Sequence, residues 1–317
     1  NQGVSLCRLE GRRCVDERPV PDLSDGEGLQ SAHFTALEVH MGEDGAPSLW
    51  ASTFANGLVI KDSTNHWRTP HEGTNPPRFI NSLLSHHGSL WATTSRGLFK
   101  LQGQTWTRFG EAQGLPSDHV NSIAADGDGA LWIGTSRGVA HLNDQGIKAL
   151  GVHDGLPYPI VYSVAARADL VAVGTAYGLG LKDRAGWRHY RVGHGGLSDD
   201  WVNAVHISEE AQVFIGTYDS GVDHVQGGVA QEVEGLEALW VNPNGILSVE
   251  GVSGLLVATL GDGLWLREAQ GKTCRLDTTR ALPSPDVTDA VRHEGALWIA
   301  TRGGLARWSM DAPLTCP

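Results

Sequence analysis

The sequence predicts an all-β fold: a seven-bladed β-propeller of four-stranded antiparallel blades, with residues 1–317 as one domain. Three observations predict it. A short motif recurs seven times, its spacing is nearly constant, and the glycine content suits many tight turns. Gly supplies 41 of 317 residues, about twice the usual share of roughly 7%. It shows no period-three pattern, so a collagen-like chain is excluded. Hydrophobic residues make up 40% of the chain, enough to bury a sizeable core and to exclude wholesale disorder.

The motif is clearest at Leu131-Trp132-Ile133-Gly134-Thr135-Ser136-Arg137-Gly138-Val139. Related segments start at Leu49, Leu90, Val171, Val213, Leu256 and Leu297. The anchoring glycines are Gly57, Gly97, Gly138, Gly178, Gly221, Gly263 and Gly304, spaced by 40, 41, 40, 43, 42 and 41 residues. Each copy parses as an alternating strand such as Val120-Asn121-Ser122-Ile123, a turn, the motif strand, a tight turn at the anchor Gly, and two further strands. Four short strands in about 42 residues make one propeller blade, which buries both faces only by stacking on its neighbours.

The chain ends fit a ring closed by the N-terminal hairpin against the last blade. Leu6 to Cys14 aligns with Leu98 to Trp106, so the N-terminus reads as the two outer strands of a blade. A two-residue turn at Glu10-Gly11 would set Cys7 opposite Cys14. Cys274 falls on the fourth strand of copy six and Cys316 near that of copy seven, where a bond would tie adjacent blades. Four cysteines allow three pairings, and the sequence leaves the connectivity open. None shows metal spacing, so all four read as disulfide cysteines of an oxidising, extracytoplasmic compartment, either secreted or periplasmic.

The net charge of −12 argues against a nucleic acid or an anionic membrane as the main partner. No run nears the roughly 20 apolar residues of a membrane-spanning helix, so no membrane insertion is expected. Asp126-Gly127-Asp128-Gly129 looks like a calcium loop but lacks the trailing Glu, and reads as a hairpin turn. No cofactor is expected, although a metal held by different blades would leave no local spacing.

These residues resemble the two-component regulator propeller repeat. Gly114-Leu115-Pro116 through Gly138-Val139 carries its pattern of Gly-Leu-Pro, a short strand, Asp-x-x-Gly, Leu-Trp-Ile-Gly-Thr and Gly-Leu. The resemblance spans almost the whole chain, with copies five and six more divergent. It implies an extracytoplasmic sensor region that binds a carbohydrate or another small ligand. The repeat is also similar to that of streptogramin lyases, seven-bladed enzymes that open a lactone-containing antibiotic. Their catalytic residues find no position-by-position match here.

Residues that recur at one site in many blades read as scaffold. Trp50, Trp91, Trp132 and Trp298 share one position, and Trp67, Trp106 and Trp187 another. Thr53, Thr94, Thr135, Thr175, Thr217 and Thr301 read as a repeated structural hydrogen bond. Chemistry is sought instead where copies differ, on the face shared by two sets of turns. His33, Phe79, His119, Ile160, Trp201, Gly245 and Asp286 enter the first strands. Asn56, Arg96, Arg137, Tyr177, Tyr218, Asp219, Asp262 and Arg302 occupy the turns between second and third strands. The arginines offer planar donor forks for an anion, and Tyr177, Tyr218 and Trp201 offer faces for a sugar or aromatic ring. His119 and Asp219 are the candidate acid–base pair. A step of 11 residues between Gly235 and Ile246, against about six elsewhere, suggests an insertion that carries Trp240 as a lid or wall. The preferred function is binding of a small polar or anionic ligand, a carbohydrate among them, at the channel mouth. The rivals are a lyase or hydrolase using the same mouth, and a platform for a protein partner.

Overall fold

The structure is a computed structural model that describes residues 33–42, 45–54, 57–61, 67–70, 75–276, 282–310 and 314–316, and the backbone of 5–10 and 13–19. Asn56 lies outside the described residues. The fold is a seven-bladed β-propeller. Blades 1 to 6 are four-stranded sheets whose inner strands are Phe34–Met41, Ile80–His86, Val120–Ala125, Val161–Arg167, Val202–Ile207 and Val241–Leu247. Blade 7 comprises Val287–His293, Ala296–Thr301 and Gly304–Ser309, extended to five strands by the N-terminal hairpin. By compactness the chain divides into two units: Asn1–Ala92 with Phe99–Thr107 and Leu247–Pro317, and Thr93–Leu98 with Arg108–Ile246.

The hairpin joins blade 7 as the sequence suggests, but Ser5–Glu10 runs parallel to Gly304–Ser309 instead of antiparallel. Its register also differs from expectation. Glu10 pairs with Arg13, Leu9 with Cys14 and, past a bulge, Cys7 with Glu17. Cys7 is therefore not directly opposite Cys14, and the side chains of both lie outside the described residues. The turn lies one residue later than the sequence suggests, and the bulge adds a second offset. Cys274 and Cys316 do form a disulfide, linking the outer strand of blade 6 to the C-terminal segment.

The motif residues build the blades. Its Thr hydroxyl donates to the anchor-glycine carbonyl in all seven copies, from Thr53 to Gly57 (3.2 Å) through Thr301 to Gly304 (2.8 Å). Thr259 makes this bond in copy six, a member missed in the sequence. At Gly138, with φ +134°, a Cβ would stand 2.5 Å from the Leu150 carbonyl oxygen, so only glycine fits. At Gly134 a Cβ would stand 2.7 Å from a Val161 methyl, where the next inner strand packs. Trp50, Trp91, Trp132 and Trp298 are buried. Asp126 uses its oxygens on the amides of Asp128 and Ala130 and on the Trp132 indole, an ordinary turn.

Several neighbouring blades are joined by side chains at the second or third position of an inner strand. Asn121 donates to the Val161 carbonyl (2.7 Å) and Asn203 to that of Val241 (3.1 Å). Ser122 accepts from the Val164 amide and Ser163 from that of Val205, both at 3.1 Å. Blades 7 and 1 use the same device with other residues. Thr288 donates to the Phe34 carbonyl (3.0 Å), and Asp289 replaces Ser as acceptor of the Leu37 amide (2.8 Å). The buried Lys61 adds an ion pair with Glu294 (2.6 Å), and Trp67 meets Trp298 edge to face.

The carboxyl at this junction has a consequence for stability. Burial pushes Asp289 up to about 7, and burial together with Asp289 pushes Glu38 up to about 8. Raised carboxyl values mean that the folded chain holds more protons than the unfolded one, so stability falls as pH rises from about 4 to about 8. Below pH 6.5 buried histidines oppose this trend, because burial lowers His206 to about 4 and folding excludes its charged form. The acid effect therefore stands alone above pH 6.5. Denaturant titrations at pH 6.5 and about 8 are expected to show lower stability at the higher pH, with the difference much reduced in Glu38→Gln. An equal drop in wild type and variant would contradict the assignment. Replacing both Cys274 and Cys316 by Ser is expected to cost up to about 4 kcal/mol, given a separation of 42 residues. The shift in denaturant midpoint measures it.

Candidate functional site

The backbone sets the entry residues of the first strands beside the turns between second and third strands, as the sequence suggests. The amides of Phe54, Ser136, Ala176, Tyr218 and Arg302 donate to the carbonyls of His33, His119, Ile160, Trp201 and Asp286, respectively. Within each of these blades the two sets of turns share one face.

Blades 4 and 5 carry the densest cluster on that face. Tyr162, Trp201, Tyr218 and Trp240 form a run of near-parallel rings. Successive centroids lie 5.8, 5.1 and 5.7 Å apart, with interplanar angles of 16°, 24° and 19°. The spacing and small angles make an offset staircase. Trp201, Tyr218 and Trp240 remain 43%, 40% and 46% exposed. Among the described residues, neither indole N–H and neither hydroxyl in the run has a hydrogen-bond partner. Burial raises the Tyr162 hydroxyl above its ordinary value, with a smaller effect from Tyr158.

Tyr162 is absent from the sequence-based candidates, yet a signal was present. It stands at the second inner-strand position, where Asn121, Asn203 and Asn242 sit in other blades. The belt of side-chain bonds between blades gives way there to a ring that starts the stack. Trp240 needs a different correction. The inner strand of blade 6 begins at Val241, not near Ile246. Trp240, rather than Gly245, is thus the entry residue, equivalent to Trp201 and His119. The additional residues lie in the long outer strand Val229–Glu237, whose pairing with Gly221–Gln226 is bulged. Trp240 is a member of the staircase, not a lid.

Beside the staircase, Tyr177 tilts against Tyr158, and the Arg191 guanidinium lies 3.4 Å from the Tyr177 ring centroid. Arg191 also faces Asp200 at 3.6 Å. Arg137 is ion-paired with Glu111, and Arg108 with Asp118 at 2.8 Å. Arg137 is therefore already neutralised. The Arg96 carbonyl accepts from Arg108 (2.6 Å), and its amide donates to Thr94. His119 is exposed, and its ring has no partner among the described residues. Asp219 is exposed and accepts only the Ser220 hydroxyl (3.1 Å). His119 and Asp219 lie in different blades and share no hydrogen bond.

The other unit places His33 and Arg302 on its own blades. His33 stacks on Phe54 at 5.2 Å, and Phe54 meets Phe79 edge to face at 6.3 Å. Burial, reinforced by Arg302, lowers the His33 imidazole below its ordinary value. Asp262 pairs loosely with Arg275 at 3.9 Å. No group of three or more His, Cys, Asp or Glu suited to a metal exists among the described residues.

Residues 114–137 match the family model described as two component regulator propeller. No curated protein matches the chain in sequence. Among solved structures, the chain is similar to extracellular domains assigned to a one-component system and a hybrid two-component system of B. thetaiotaomicron. For BT4673 the identity is 18% and the TM-score 0.69, over 88% of this chain and 38% of that one. For BT3049 the values are 17% and 0.69, over 87% and 40%. The chain thus spans about two fifths of the length of those domains. It is also similar to virginiamycin B lyase from Staphylococcus aureus, with 10% identity and a TM-score of 0.62 over 87% of this chain and 94% of that one. At these identities the likeness is one of fold.

Tyr162→Asn tests the reading of the staircase. The new side chain is expected to make the bond that Asn121 and Asn203 make, holding stability within about 1 kcal/mol. The near-ultraviolet circular dichroism of the coupled rings is expected to fall. A large loss of stability with an unchanged spectrum would assign Tyr162 to packing instead.

Proposed function

We propose that this protein is a sensor-type propeller that works outside the cytoplasm and holds a small polar molecule on the face of blades 4 and 5. The observation that carries this reading is the staircase itself: four near-parallel rings, three of them well exposed, whose polar tips lack partners. Soluble proteins rarely leave such apolar area uncovered without a binding role. Exposed indole and phenol rings present a flat apolar surface, and their free N–H and O–H groups offer hydrogen bonds at its edge. A sugar or another compact molecule with one apolar face and polar substituents matches both. The fold likeness to extracellular sensor domains supports the extracytoplasmic setting, as does the Cys274–Cys316 disulfide. The net charge of −12 speaks against a nucleic-acid partner.

The lyase reading draws only on fold likeness, and fold does not carry chemistry. General acid–base catalysis requires groups within hydrogen-bond reach of a shared reacting atom. His119 and Asp219 share no such contact.

A panel of sugars, uronic acids, amines, lactones and cyclic peptides, read by thermal shift and by mass spectrometry of the recovered compounds, tests the proposal. At least one class is expected to raise Tm and return unchanged. Trp201→Ala or Tyr218→Ala is expected to weaken its binding at least about tenfold, with little change in the free protein's Tm. A compound converted to product, with conversion lost in His119→Ala, would instead make the protein an enzyme.

A further inference from the structure

We infer that the ligand of the blade 4–5 staircase is a small organic cation; the inference rests on the binding role proposed above and adds the chemical class. In blade 2, Arg108 lies within the outer strand Thr105–Phe109 and pairs with Asp118 of the next connector. In blade 4, Arg191 follows the outer strand Gly186–Tyr190 and pairs with Asp200, while its guanidinium lies over the Tyr177 ring. The anchor glycines set the equivalence between blades 4 and 5. A Cβ on Gly178 would meet the Tyr190 carbonyl oxygen and Arg191. The same construction at Gly221 meets Leu236 and Glu237.

Blade 5 therefore carries a carboxylate where blade 4 carries a guanidinium. Glu237 accepts the Gly235 amide and has no cation partner among the described residues. Nearby, Tyr218 continues the ring-bearing turn with Asp219, whose only partner is the Ser220 hydroxyl. Blade 4 is a complete set of aromatic face, carboxylate and cation. Blade 5 has the face and, at positions other than that of Asp200, two carboxylates, and omits the cation. Arg108, Arg137 and Arg191 are each ion-paired. An exposed run of tryptophan and tyrosine rings beside uncompensated carboxylates attracts a cation through the ring quadrupole and through charge. An alkylated ammonium or guanidinium compound would complete the set. Of the arginines that the sequence offers an anion, Arg137 is thus occupied.

Choline and its uncharged isostere 3,3-dimethylbutan-1-ol separate charge from shape. Both would be titrated against the whole protein by tryptophan fluorescence, at constant ionic strength, with glucose as a neutral polyol. Choline is expected to bind at least tenfold tighter than the isostere. Asp219→Asn is expected to weaken choline at least fivefold, and Trp201→Leu to abolish the signal. Glu237→Arg, which supplies the side chain found in blade 4, is expected to displace choline while leaving Tm unchanged. Equal binding of choline and its isostere, or binding indifferent to Asp219→Asn, would overturn the cation. Glucose binding lost in Trp201→Leu, with choline inert, would keep the binding face and reject the cation. No response from any probe would reject both.

Discussion

The structure depends on one recurrent contact, the hydrogen bond from an inner-strand side chain to the backbone of the next blade. A four-stranded blade cannot bury both faces by itself. Each blade must therefore be fixed in angle and depth against its neighbour. Asn121 and Asn203 do this through a carbonyl, Ser122 and Ser163 through an amide. Each bond contributes only about 1 kcal/mol, but each fixes backbone to backbone, so the loops at the blade ends inherit their positions. The junction of the last and first blades keeps the geometry and changes the chemistry. There Asp289 takes the serine's part, and the buried Lys61 is tied to Glu294. A carboxylate accepts more strongly than a hydroxyl, and the cost is a buried acid whose ionisation opposes folding.

Against that constant frame, variation has a local meaning. Tyr162 stands where the belt otherwise uses Asn, and the position exchanges a structural bond for a ring. The entry residues Trp201 and Trp240 hold sites that His33, Phe79 and His119 hold elsewhere, with the same backbone contacts for His33, His119 and Trp201. Only the side chain changes. Three such exchanges in neighbouring blades, with Tyr218 on the adjoining turn, suffice to assemble the staircase. The same logic explains the charge pattern: Arg191 and Glu237 occupy one position in successive blades, and one is satisfied internally while the other is not.

Much of this is legible in the sequence, for reasons that can be named. The period of about 40–43 residues and the motif Thr and Gly follow from the blade, because a hydroxyl-to-carbonyl bond and a positive φ leave little choice of residue. The scaffold role of Trp132 and Trp298 follows from recurrence alone. Boundaries fared worse where a bulge intervened. The irregular outer strand of blade 5 moved the apparent start of blade 6 by five residues, turning Trp240 into an apparent insertion. A bulge and a one-residue shift also moved Cys7 away from the place directly opposite Cys14. Side-chain partners were out of reach altogether. No sequence signal shows that Arg137 is bound to Glu111, or that His119 and Asp219 fail to meet, because those outcomes depend on loop geometry rather than on residue type.

The central claim is that positions which differ between blades carry the ligand, while repeated positions carry only the frame. Fluorine NMR of the protein labelled with 5-fluorotryptophan tests it directly, because its 11 tryptophans include both kinds. With resonances assigned by single substitutions, a choline titration is predicted to move Trp201 and Trp240 and to leave Trp50, Trp91, Trp132 and Trp298 in place. Shifts confined to the repeated tryptophans, or none at the two staircase indoles, would contradict the account.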